Sequence, residues 1–416
     1  MRPNLPLLAL SAVLAASSIA RASEPSPEDA SIGTTPAASP AKAEAAPLAV
    51  DEAEPRGVTR SREAGIATEP PTDWYFLHAG LRPHLGTFAG LSTFALAHER
   101  AERFYGGFSL SLIRNDAGTH IGALQLALGR NLSDDFIGGA QVSLGENRAR
   151  RFAGLAQTSP VYNRSLAMVG AIQLSSYNRA KTFVGGAQLG LYNRADEAFT
   201  GLLEVGAFNH AHRDFTGLTQ IGVVNAVGED LFDDDSVSHS SFAGVAQIGL
   251  LDTTSNFRGL TQLGLVSAAG DDFAGGLQVG ALATGARRFR GLAQIGAVTF
   301  SKDSYGLQIG AAAISVEQHT GVQLGMSTNF ARSVTGAQIG LVNLASEVRG
   351  VQIGLFNHTS SLRGIQIGLA NHAEDGVLPW TALLNMGFGD GDGGGTIDDE
   401  SARQASQGVS PSALRF

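Results

Sequence analysis

The chemistry this chain can offer is concentrated in one recurring polar position. Gln125, Gln141, Gln157, Gln173, Gln188, Glu204, Gln220, Gln247, Gln262, Gln278, Gln294, Gln308, Gln323, Gln338, Gln352 and Gln366 stand at the centres of sixteen copies of one unit. The copies step by 14 to 16 residues, apart from one gap of 27. An amide donates and accepts hydrogen bonds but does not titrate. A column of amides can therefore bond to itself as a structural ladder, or line a pore and meet a polar solute such as a glycan. Glu204 occupies a Gln position, either as a selectivity charge in a lumen or as a tolerated near-isostere.

Other reactive groupings are sparse. His210 and His212 lie next to Asp214, but a metal site needs a further ligand converging in space, and a solvated turn accounts for them. The stretch Asp390-Gly-Asp392-Gly-Gly-Gly395-Thr-Ile397 has the outline of a calcium loop. Gly394 removes its fifth-position ligand and Ser401 stands at the twelfth, which leaves a flexible acidic tail. Cysteine is absent, which excludes disulfides, thiolate metal sites and Cys nucleophiles. No Ser/His/Asp order, phosphate loop or zinc-helix motif stands out. The expectation is a non-enzymatic protein with no catalytic residues, no cofactor and no metal. A net charge of −9 over 416 residues argues against a nucleic-acid partner.

The elements that must position the polar column are strands. In Phe183-Val-Gly-Gly-Ala-Gln188-Leu-Gly-Leu-Tyr-Asn193, one parity carries Phe183, Gly185, Ala187, Leu189 and Leu191. The other carries Val184, Gly186, Gln188, Gly190 and Tyr192. A period of two puts these sets on opposite faces of a strand. The glycine load and the absence of a 3.6 period exclude helix. From two residues before each central position to four after, Glu204 is the only charged residue in any copy. Asn163, Asn178, Asn193, Asn209, Asn225, Asn343, Asn357 and Asn371 follow the strands, where Asn suits a tight turn. Phenylalanines five before the centre, such as Phe183 and Phe199, and tyrosines four after it, such as Tyr177 and Tyr192, read as paired aromatic girdles. Strands of about 9–11 residues match a tilted membrane-spanning strand.

Around this domain, expected at 74–388, the sequence changes character. Residues 1–22 read as a signal peptide: Arg2, a short apolar run from Leu5, and Ala20-Arg21-Ala22 before Ser23. Residues 23–73 form an Ala/Pro/Glu-rich leader that buries too little to offset chain entropy. Residues 389–416 form an acidic, glycine-rich tail. Val227 to Ser241 reads as a surface loop carrying Asp233 to Asp235, and Pro160 should mark a bulge or strand end.

The units Gly336-Ala-Gln-Ile-Gly-Leu-Val-Asn343, Gly350-Val-Gln-Ile-Gly-Leu-Phe-Asn357 and Gly364-Ile-Gln-Ile-Gly-Leu-Ala-Asn371 resemble those of uncharacterised exported bacterial surface-repeat proteins. The resemblance covers about residues 74–388, from the Trp74 strand to the Pro379 to Phe388 closing strand. It implies a cell-envelope location, bacterial outer membrane or cell surface, and brings no known catalytic residues.

Two architectures share this pattern. The favoured expectation is an all-β, antiparallel outer-membrane-type barrel of about 20 short-looped strands, structural or passively permeable. Its apolar parity would face outer-membrane lipid and its Gln parity the lumen. The alternative is a parallel β-solenoid with one 14–16-residue repeat per coil, acting as adhesin or scaffold. It would stack the Gln residues into a ladder with Val, Ile and Leu inside. Uniform connections favour the solenoid, because the unit of repetition is one strand rather than one hairpin.

Overall fold

The computed structural model describes residues 72–228 and 240–388. The signal, nearly all of the leader, the Asp233 to Asp235 insert and the acidic tail lie outside the described residues. The chain divides into two compact units, Met1–Gly244 and Val245–Phe416.

In the first unit the strands are parallel and their register advances by one repeat. Glu146–Thr158 lies beside Tyr162–Leu174, which lies beside Tyr177–Leu189 and then Tyr192–Val205. Gln157 faces Gln173, Gln173 faces Gln188, and Gln188 faces Glu204. The second unit follows the same rule, with Gln247 opposite Gln262 and Gln352 opposite Gln366. Extended backbone runs through Leu251–Ile353, 103 residues. Drawn straight it would reach about 340 Å, so the chain coils while it stays extended. Each unit is thus a parallel β-solenoid with one repeat per coil. The expected antiparallel barrel is not formed, because adjacent copies run in the same direction. The solenoid alternative describes the fold, with its Gln ladder buried and most of its Leu, Ile and Val side chains turned outward.

Side-chain direction around one coil explains this arrangement. In the coil from Tyr177 to Tyr192, Asn178, Ala180, Phe183 and Gln188 are buried, while Lys181, Val184 and Leu191 are exposed. Gly185 and Gly190 also point inward: a Cβ on Gly190 would meet Asn178 Nδ2 at 2.7 Å and Asn193 Oδ1 at 2.9 Å. The in–out alternation slips near Lys181–Thr182, Gly186–Ala187 and Leu191–Tyr192, giving three short sides. Period two holds within a side and fails across a corner. Phe183 and Gln188, of opposite parity in the sequence, therefore share the interior, and Leu189 and Leu191 face out. In this coil Leu and Val lie outside, contrary to the solenoid expectation, whereas Val334, Val348 and Leu362 of the later coils are buried as that expectation has it.

The phenylalanine girdle is an internal stack, while Tyr177 and Tyr192 of the other girdle are only half-buried and stack on each other apart from it. Phe88, Phe104, His120, Phe136 and Phe152 are buried in successive coils, with ring centroids 4.5 to 5.1 Å apart. Met168 fills the next coil, and Phe183, Phe199, Phe215 and Phe242 resume the stack at 4.8 to 4.9 Å. This equals the spacing of neighbouring strands, so rings on adjacent strands meet face to face without leaving register. Pro160 falls in the gap between Glu146–Thr158 and Tyr162–Leu174, where it interrupts no ladder bond.

The later coils of the second unit are shorter, and glycine makes that possible. Gly306, Gly321, Gly336, Gly350 and Gly364 all have positive φ, between 121° and 147°. They stand two residues before the Gln, at the corner that longer coils turn with an extra residue. A Cβ on Gly350 would lie 1.9 Å from the Gly336 carbonyl oxygen. The last strand, Trp380–Phe388, reverses direction and pairs antiparallel with Ser361–Ala373.

Two substitutions test these assignments. Gly350→Ala should destabilise the protein by at least about 1–3 kcal/mol, since it combines backbone strain with a collision against the neighbouring coil. Phe199→Ala, from a fully buried ring between Phe183 and Phe215, should cost about 3–5 kcal/mol. Denaturant titration reads both; a neutral Phe199→Ala would show that the ring is not in the core.

Candidate functional site

The feature with the most organised chemistry is the polar interior. All sixteen residues of the repeat centre are buried, so the structure gives them no lumen to line. Parallel stacking sets each one opposite the next, and an amide is the side chain that can bond to a copy of itself on both sides. In the first unit Gln141 Nε2 donates to Gln125 Oε1, Gln157 to Gln141, Gln173 to Gln157 and Gln188 to Gln173, at 2.8 to 2.9 Å. In the second unit the same bonds run without interruption from Gln262→Gln247 to Gln366→Gln352, at 2.7 to 3.0 Å. Asn385 of the reversed last strand donates to Gln366 Oε1 at 3.3 Å.

A second amide column lies across the interior, at the asparagines expected in turns. Asn115 Nδ2 donates to Asn131 Oδ1, and the chain of bonds continues through Asn147, Asn163, Asn178, Asn193 and Asn209 to Asn225, at 2.8 to 3.1 Å. The same nitrogens reach backbone carbonyls of the next coil, as Asn131 Nδ2 does to Val142 O at 2.6 Å. Asn bonds run toward higher residue numbers and Gln bonds toward lower ones. The second unit repeats the arrangement from Asn329 through Asn343 and Asn357 to Asn371, at 2.7 Å.

Glu204 is where the column changes chemistry. It accepts from Gln220 Nε2 at 2.8 Å through Oε2. Its Oε1 and the Gln188 Oε1 of the preceding coil have no hydrogen-bond partner. From Gln125 to Gln188 and from Gln247 to Gln366 a nitrogen donor sits between each such pair. A carboxylate cannot donate, whereas a carboxylic acid protonated on Oε1 supplies the missing hydrogen. Burial acts in the same direction and raises the Glu204 pKa to about 8. Both effects favour a neutral acid in the place of an amide.

Three further buried titratable groups follow the same logic. Glu99 stands in register with Asn115 at the start of the Asn column. It accepts from Thr93 Oγ1 at 2.7 Å and Ser109 Oγ at 3.1 Å, and burial raises its pKa to about 7. His120 replaces a Phe in the ring stack; burial lowers its pKa to about 3, so it stacks as a neutral ring. His319 pairs through Nδ1 with Ser304 Oγ at 2.7 Å, and burial lowers its pKa to about 4. Sequence reading missed Glu99 and His120. Counting back one repeat from Asn115 and Phe136 is the signal that would have found them.

The structure does not assemble the other candidates. His210 and His212 meet edge-on at 6.0 Å, and His210 Nε2 lies 3.0 Å from the Gly228 carbonyl. Among the described residues no group of three or more His, Cys, Asp or Glu is placed to hold a metal ion. The calcium-like stretch from Asp390 lies outside the described residues. Compared with protein-family models, curated proteins and solved structures, the chain matches none.

The proton on Glu204 has a measurable consequence. Between pH 4.5, its ordinary value, and about pH 8 the folded chain holds a proton that the unfolded chain has lost. The stability this confers is fully present below pH 4.5 and is lost as pH rises through about 8. Glu204→Gln supplies a permanent donor. The melting temperature of Glu204→Gln minus that of the parent should therefore grow from pH 5 to pH 8.5, by an amount equivalent to a few kcal/mol. A difference independent of pH would show that Glu204 carries no such proton.

Proposed function

We propose that this chain works without catalysis, as a β-solenoid scaffold or adhesin exposed at the cell envelope. The observation that carries this reading is the direction of its chemistry. The repeated polar groups are turned inward and bonded to one another, so they are spent on the fold. What the protein presents to other molecules is its outer surface, on which one short pattern recurs at every coil. Surfaces of this kind suit extended, repetitive contacts rather than the capture and turnover of a small substrate. The signal-like segment at residues 1–22 and the resemblance of the repeat to exported surface proteins support export. The terminal reversal supports a finished unit: an antiparallel strand over the last coil covers an edge that parallel copies would otherwise extend.

Cell fractionation with surface proteolysis tests the reading. The protein should be found in the envelope fraction of the producing cells, and protease added to intact cells should cleave it. Retention in the cytoplasm, or protection from external protease until the cells are broken, would overturn it.

A further inference from the structure

In the second unit, the coils centred on Gln308 and Gln323 gather hydroxyl groups and an imidazole around one amide. Ser304 and His319 stand four residues before those glutamines, where Val334, Val348 and Leu362 stand in the coils that follow. Ser301 and Ser315 stand seven residues after Gln294 and Gln308, where later coils hold Ala345, Thr359 and Ala373. Two columns of the interior therefore change chemistry together. Ser301, Ser304, Gln308, Ser315 and His319 are all buried.

Ser315 Oγ lies 3.0 Å from Gln308 Oε1, 2.7 Å from Ser304 Oγ and 3.1 Å from Ser301 Oγ. Ser304 Oγ lies in turn 2.7 Å from His319 Nδ1, while His319 Nε2 has no hydrogen-bond partner. With its hydrogen on Nε2 the ring accepts from Ser304, and burial keeps it neutral down to about pH 4. The amide is held at both of its polar atoms. Gln323 Nε2 donates to Gln308 Oε1 at 2.8 Å, and Gln308 Nε2 donates to Ser301 Oγ at 3.0 Å. A hydroxyl nucleophile, a neutral base reached through a second hydroxyl, a donor on the carbonyl oxygen and a hydroxyl beside the amide nitrogen thus converge. These are the parts of an acyl transfer.

We propose that Ser315 and Gln308 join in an intramolecular ester, formed by the folded chain on itself. Ser315 Oγ bonds to Gln308 Cδ, one bond away from the oxygen it faces, and the Cδ–Nε2 bond breaks. Ser304 takes the Ser315 proton as it passes its own to His319 Nδ1. Ser301 gives its proton to the departing nitrogen, and the proton held on His319 returns through the hydroxyls to Ser301. The products are an ester and ammonia, and nothing is oxidised or reduced. Fixed neighbours replace a bimolecular encounter, and burial keeps bulk water from competing for the carbonyl. The ester gives up the ladder bond from Gln308 Nε2 to Gln294 Oε1 and closes a covalent ring within one coil. It forms once per chain and needs no outside substrate, so it goes beyond the scaffold reading without resting on it. Ser133 Oγ at 3.0 Å from Gln125 Oε1 and Ser165 Oγ at 3.1 Å from Gln157 Oε1 make the same hydroxyl–amide contact. Among the described residues neither of those hydroxyls is bonded to a histidine, which makes them controls within the same chain.

Mass spectrometry of the full chain, folded and then digested with trypsin, tests this. Gln308 and Ser315 fall in one tryptic peptide, Asp303 to Arg332. That peptide should weigh about 17 Da less than its sequence, the mass of the ammonia lost. It should yield no backbone fragments from cleavage between Gln308 and Ser315, and neutral hydroxylamine, which opens esters, should restore them. Ser315→Ala should abolish the loss while circular dichroism still reports the β fold. The peptides that carry Gln125 and Gln157 should keep their full mass. His319 acts through Ser304, so its part is read from a pH profile. After refolding from urea the loss should appear at one rate between about pH 5 and pH 7, because the ring is already unprotonated there. A rate rising about tenfold per pH unit would take His319 out of the reaction. A peptide of full mass, a loss located at Asn329, or a loss that survives Ser315→Ala would each overturn the ester. Those results leave the scaffold reading standing, because that reading fails only on where the protein is found.

Discussion

The structure depends on a rule of self-complementarity. Parallel strands in register place each side chain next to its counterpart one repeat away, at the strand spacing of about 4.8 Å. An inward residue must therefore be able to sit on a copy of itself. Amides satisfy the rule by donating on one side and accepting on the other, and flat rings satisfy it by stacking. Aliphatic side chains have no such directional need. Most of them are left outside, so the protein encloses hydrogen-bonding groups and aromatic rings and displays leucine and isoleucine; Val334, Val348 and Leu362 take the inward place in the later coils. The buried amides of the two columns are tolerated because nearly all of them are bonded, whereas His120 and Ser143 keep buried side-chain atoms with no hydrogen-bond partner.

The exceptions obey the same rule. Glu204 fits the amide column only as a neutral acid, and His120 fits the ring stack only as a neutral ring. Met168, unbranched and flexible, fills the place between Phe152 and Phe183. Gly350 and its equivalents show the limit of the rule. A corner tight enough to shorten the coil brings one backbone onto the next, and only a residue without a side chain fits there.

Much of this was legible in the sequence. The repeat length, the strand-sized unit, the exclusion of charge from its centre and the sameness of its connections all follow from the residues. The choice between barrel and solenoid turned on whether Phe183 and Gln188 share a face. Counting by twos puts them apart, because the count assumes a straight strand. The corner near Gly186–Ala187 advances the parity by one and brings them together. No residue there announces a corner, since glycine is also at home in a strand facing small neighbours. Tyr192 was misread for the same reason, being assigned to the face of Gln188 by a count that runs across the bend at Leu191–Tyr192. The buried state of Glu204 needed the coordinates, whereas its place in the column did not.

The opposed running directions of the two amide columns bear on how such a chain can lengthen. A file of hydrogen-bonded amides polarises along its length, each bond strengthening the next. Alone, it would carry partial charges of opposite sign at its two ends, and its moment would grow with every repeat added. The Asn and Gln files of the first unit point oppositely, so each cancels much of the moment of the other. Duplication of a repeat then lengthens both files together, and the net axial moment grows by much less than either file alone would add.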